Sequence, residues 1–134
     1  MKSHHRVFPS RELIVVNAQG SADLEATKRL IQAVATSPRY SEDFEVLLDF
    51  RELDCRISTL EVFELAAWMA HPYPALPTRR KVALVIADRE GFDRAEFLAL
   101  CARNRGLRVS AFRTIDEADA WLDATVPDAD QPEQ

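Results

Sequence analysis

Two short apolar runs, Val46-Leu47-Leu48-Asp49-Phe50 and Val82-Ala83-Leu84-Val85-Ile86-Ala87-Asp88, constrain this chain more than any other feature. Each is rich in branched residues and each is followed by a helix-like stretch. Runs of that kind form strands buried on both faces of a mainly parallel sheet, because crossover helices cover such sheets.

The rest of the chain is read around these two strands. Arg6-Val7-Phe8 and Leu13-Ile14-Val15-Val16-Asn17 flank the turn-prone Pro9-Ser10-Arg11, which predicts an antiparallel edge strand, a turn and a first full strand. Gly20 is expected to break that strand and Ser21 to cap the following helix. At 100° per residue, Leu24, Thr27, Leu30, Ile31, Val34 and Ala35 share one face of that helix, and Ser37-Pro38 ends it. After Phe50, Arg51 to Arg56 reads as a polar link. Ser58 and Glu61 have capping-box spacing and start a second helix that runs to about His71. Pro72, Pro74 and Pro77 make a stiff loop, in which Pro74-Ala75-Leu76-Pro77 matches a polyproline-ligand spacing. A third helix is expected from about Gly91 to Asn104, a last strand over Leu107–Phe112, and a final helix after the Thr114–Glu117 pair. The fold class is therefore α/β, with a mainly parallel sheet of about five strands and about four helices. Residues 1–124 form one domain, and 125–134 read as an acidic, frayed tail.

Charge and composition exclude several functions. The net charge of −5 argues against nucleic acid as a partner, since phosphate binding needs a basic surface. Seven acids and no Lys or Arg lie between Asp116 and Gln134, while Arg103, Arg105, Arg108 and Arg113 cluster just before them. No apolar run approaches the roughly 20 residues that cross a bilayer. Cys55 and Cys101 sit in apolar surroundings and read as buried free thiols, which suits a cytoplasmic protein. His4, His5 and His71 show no metal-ligand spacing, and the three glycines form no phosphate loop. No cofactor or metal is implied.

Three sets of residues carry functional expectations. The second helix places Leu60, Val62, Phe63, Ala66, Ala67, Met69 and Ala70 on a broad apolar arc, taken as its sheet face. Leu65 and Trp68 then fall on the outer stripe, among Glu61, Glu64 and His71. The third helix carries a second apolar stripe of Phe97, Leu100 and Cys101. Leu65, Trp68, Phe97 and Leu100 are thus the expected surface for a protein partner, a second copy of the chain, or a small apolar ligand. Ser58, at a helix start, is a candidate phosphoacceptor as well as an ordinary cap. Asp49 and Asp88 lie near the carboxyl ends of two strands, where a carboxylate pair could hold Mg²⁺ for a hydrolase.

The layout resembles the STAS fold of anti-sigma-factor antagonists and sulfate-transporter tails, and more closely the SpoIIAA-like (STAS/CRAL-TRIO-like) bacterial proteins. The similarity rests on Leu13–Val16 running into Gly20, Leu47-Leu48-Asp49-Phe50-Arg51, Lys81–Val85, Val109–Arg113 and the closing Glu117–Leu122. It implies a non-enzymatic regulatory module that binds a partner, or a carrier of a lipid-like molecule. The antagonist family's phosphorylated Ser lies in an Asp-Ser-Ser-Gly motif. Ser58 matches the acceptor, but Ile57 and Leu60 stand in place of the Asp and the Gly.

Overall fold

The computed structural model describes residues 1–36, 44–71 and 80–123. The expected ends at Ser37-Pro38, the Pro72–Pro77 loop with its polyproline spacing, and the tail from 125 onward lie outside these residues.

The elements are β1 (Lys2–Phe8), β2 (Leu13–Ala22), α1 (Leu24–Thr36), β3 (Glu45–Cys55), α2 (Thr59–Ala70), β4 (Lys81–Val85), α3 (Arg89–Arg103), β5 (Arg108–Phe112) and α4 (Ile115–Asp123). They build one five-stranded sheet in the order β1-β2-β3-β4-β5. The β1–β2 pair is antiparallel across the short 3-10 turn Pro9–Arg11, and the other pairs are parallel. The order and type of every element match the sequence expectation. The apolar face assigned to α1 is also as expected, with Leu24, Thr27, Leu30, Ile31 and Val34 buried.

Three local expectations fail. Gly20 does not break β2, which continues through it to Ala22. Gly20 adopts φ +100°, and the β2–β3 register shifts between Asn17 and Gln19, so glycine here serves a bulged strand rather than a turn. The cap of α1 is consequently Asp23, whose Oδ1 accepts from the Ala26 N–H at 2.9 Å, not Ser21. Likewise Arg51–Cys55 is strand, not link. Beyond the shift, Gln19–Ala22 of β2 pairs with Glu52–Cys55 of β3, extending both strands past the end of β4 at Val85. The polar residues there are tolerated because the backbone ladder, not burial, holds this two-stranded extension; only Ala22 and Leu53 of it are buried.

The sheet order follows the chain order without reversal. Right-handed crossovers then place α1, α2 and α3 on one face. Ile14, Val16, Ala18, Val46, Leu48, Phe50, Val82 and Leu84 meet those helices in the main core. The alternating residues Leu13, Val15, Leu47, Ala83 and Val85 meet α4 on the opposite face, through Ala118 and Leu122. Arg11, in the β1–β2 turn, fastens α4 with ion pairs to Asp119 at 3.0 Å and Asp123 at 3.2 Å. Lys81 does the same from β4: its Nζ donates to the Trp121 carbonyl at 3.0 Å and lies 5.3 Å from the indole centre.

Candidate functional site

The outer surface of α2 and α3 carries the largest exposed apolar groups on the helical face of the molecule. They are not the four residues expected. Leu65 is 2% exposed and belongs to the core, with Val62, Ala66 and Met69. Trp68 is half-buried against the same core, and Lys28 of α1 lies 5.8 Å from its ring centre. Phe97 is also half-buried against the core. Leu100, at 50% exposure, is the one expected residue that faces outward freely. The exposed partners on α2 are Leu60 at 77% and Phe63 at 48%, residues that the sequence reading had placed against the sheet.

Val62, Ala66 and Met69 are buried as expected, and the difference at Leu60, Phe63 and Leu65 has a physical cause. The α2 sequence, Thr-Leu-Glu-Val-Phe-Glu-Leu-Ala-Ala-Trp-Met-Ala, is apolar on nearly every side, so periodicity alone does not say which arc is buried. The two glutamates were read as marking the outer face. Glu61 instead folds back over the helix start: its Oε1 accepts from the Ser58 N–H at 3.0 Å, while Ser58 Oγ accepts from the Glu61 N–H at 3.2 Å. Both halves of the capping box are thus formed, and Glu61 points to Ser58 for that reason. Ser58 is exposed, and its oxygen is committed to the cap.

The resulting patch has Leu60 and Phe63 one turn apart on α2, with Leu100 on the neighbouring α3. The guanidinium of Arg105 stacks 5.0 Å from the Phe63 ring centre. Exposed Glu64, Asp93, Glu96 and Arg103 lie on the same two helices. The outer sides of these two helices therefore carry large apolar groups together with charges of both signs, a composition found at contact surfaces.

An internal apolar site is small. Beneath α2 and α3, a cavity lined by Phe50, Leu65, Leu84, Ile86 and Leu98 measures about 50 Å³. A second, between Ile31, Val34, Met69 and Val82, measures about 20 Å³. A pocket for a drug-sized molecule needs roughly 300 Å³ or more.

Asp49 and Asp88 each have a structural partner. Asp49 is 7% exposed; its Oδ1 and Oδ2 accept from Arg51 Nε at 2.8 Å and Nη2 at 2.9 Å, and Oδ2 also accepts from Asn17 Nδ2 at 2.8 Å. Burial works to raise its pKa, but these hydrogen bonds outweigh burial and hold the carboxyl below its ordinary value. Asp88 caps α3, its Oδ2 accepting from the Gly91 N–H at 2.8 Å. The expectation of a site at the strand ends rested on sheets whose order reverses, leaving a crevice between helices on opposite faces. This sheet has no reversal. Among the described residues, no group of three or more His, Cys, Asp or Glu is placed to hold a metal ion.

Comparison with protein-family models and with curated proteins finds no match for the chain. Among solved structures it is similar to an uncharacterized protein of the DUF3478 family with a SpoIIAA-like fold from Shewanella loihica PV-4. The TM-score is 0.53 at 15% identity, over 90% of this chain and 93% of that one. At that identity the likeness is one of fold, and the SpoIIAA-like α/β architecture expected from the sequence is borne out. No helix among the described residues is long and apolar enough to cross a membrane.

Proposed function

We propose that this chain is a protein-interaction module of regulatory type, and that its contact surface is the outer side of α2 and α3 around Leu60, Phe63 and Leu100. The observation that carries this reading is the concentration of three large exposed apolar side chains on two adjacent helices. These charges favour a second copy of the chain as the occupant. In a two-fold interface each patch meets itself, so a self-complementary patch needs both signs. Arg103 and Arg105 on one copy would face Glu64, Asp93 and Glu96 on the other. Three apolar side chains cover less than the roughly 800 Å² per partner of a standard stable interface, so the association is weak and reversible.

Sedimentation velocity over a wide protein concentration range tests this. The expected result is a mass-action monomer–dimer equilibrium that Leu60→Glu with Leu100→Glu abolishes, the thermal midpoint remaining unchanged. A wild-type chain that stays monomeric throughout refutes the self-association. Carriage of a lipid-like ligand has less support, because both apolar cavities are smaller than one acyl chain. Metal-assisted hydrolysis by Asp49 and Asp88 has the least, because both carboxylates serve structural hydrogen bonds.

A further inference from the structure

Among the described residues, the face of the sheet opposite α2 and α3 is only half covered. On it, β2 and β3 are apolar where α4 lies and polar beyond. In β2 the sequence passes from Leu13 and Val15 to Asn17, and in β3 from Leu47 to Asp49 and Arg51. The uncovered half forms an open groove of about 330 Å³ lined by Lys2, His4, Asn17, Asp49, Arg51 and Glu52, among others. That volume lies at the lower end of the range for small-molecule sites.

The charges in this groove are arranged, not scattered. Lys2, His4 and Arg6 alternate along β1 and so project to one side of it. The antiparallel register sets His4 opposite Asn17 and Lys2 opposite Gln19. Arg6 Nη2 reaches Asn17 Oδ1 at 3.3 Å, and Asn17 in turn donates to Asp49. Asp49 therefore anchors a network that runs across three strands. Its main effect is on Arg51: gripping Nε and Nη2 fixes the guanidinium plane and leaves Nη1 for another acceptor. The Arg51 side chain remains 48% exposed. Asp49 thus holds one cation in a fixed orientation in the lining of an open polar groove, an arrangement suited to recognising an oxyanion. Asp49 is neutralised by Arg51, and Glu52 is the remaining carboxylate among the lining residues. Lys2 balances it, so the lining is formally neutral, and Arg6, which reaches the groove through Asn17, adds one cation at its edge.

We propose that this groove binds a small anionic molecule through its phosphate or carboxylate group, held by Arg51 and Lys2 with His4 and Arg6 beside them. The site is independent of the self-association surface, which lies across the sheet.

Backbone NMR titration of the full chain with inorganic phosphate, and separately with succinate, at ionic strength fixed by sodium chloride, tests the site. Saturable shifts confined to residues 2–6, 17–19 and 49–52 are expected, and the tighter of the two probes identifies phosphate or carboxylate as the recognised group. Because removing Arg51 would strand Asp49, the variants are made at exposed positions. Lys2→Gln should weaken binding about tenfold and Glu52→Gln should tighten it several-fold, the effect of one partly screened charge in each case. Shifts that stay linear for both probes, that centre on Arg103, Arg105 and Arg108, or that ignore both substitutions overturn the proposal.

Discussion

Leu65 and Leu60 lie five residues apart on one helix and should respond oppositely to the same truncation. Leu65→Ala removes three carbons from the core side of α2. At about 0.8 kcal/mol per buried methylene, the lost transfer energy is about 2.4 kcal/mol. The space left adjoins the existing 50 Å³ cavity, which Leu65 already lines, so collapse around it is incomplete. A residual void of roughly 60 Å³ at about 24 cal/mol per Å³ adds about 1.4 kcal/mol. The expected loss is therefore close to 4 kcal/mol, which would lower the thermal midpoint by roughly 12–16 °C in a domain of this size. Leu60→Ala exposes no core and should stay within about 0.5 kcal/mol of wild type. Urea denaturation followed by far-ultraviolet circular dichroism measures both, and equal m-values license the comparison. Equal losses at the two positions, or a larger one at Leu60, would refute the assignment of α2's buried side and with it the contact surface.

The folded-state pKa of Asp49 is lowered, so its contribution to stability is present above the ordinary value of 3.8 and is lost as pH falls through the folded value. Asp49→Asn should cost about 1–3 kcal/mol at pH 7 and should flatten that acid limb in pH-dependent urea titrations. Glu45 has the opposite sign: burial raises its pKa above 4.5, so the stability tied to its protonated form fades as pH rises through the folded value, and Glu45→Gln should remove that decline. Ser58→Ala should lower stability by about 1 kcal/mol, the usual worth of such a cap, with Ser58→Asp retaining most of it by the same measurement. Burial pushes the Cys55 thiol up to about 11, so at pH 8 only about 0.1% is thiolate in the folded chain. In a Cys101→Ser background, Ellman's reagent should react with Cys55 roughly a hundredfold faster in urea than in buffer; equal rates would contradict the burial.

How much was legible from the sequence varied with the kind of signal. The sheet was readable because β4 and the centre of β3 are apolar on both faces, a pattern that only a covered parallel strand produces. The starts of α2 and α4 were readable from Ser58–Glu61 and Thr114–Glu117, since capping pairs act over three residues and depend little on tertiary context. The orientation of α2 was not, because alanines and large apolar residues surround it and only the neighbouring α1 and α3 decide which arc is covered. The extension of β3 was missed because Arg51, Glu52 and Asp54 look like a loop until β2 is known to run alongside. The groove had a signal in hand: on one side of β3 the residues change from Leu47 to Asp49 to Arg51 at a spacing of two. That change marks where α4 stops covering the sheet, and it was read instead as strand followed by link.

The uninterrupted strand order also bears on how the molecule comes into being. Each new strand finds its lateral neighbour already synthesised, so assembly can proceed by accretion from one edge, without waiting for a distant segment to be translated. A ribosome-stalled intermediate ending after β4 would present its β4 edge as the growing margin, on which β5 then pairs.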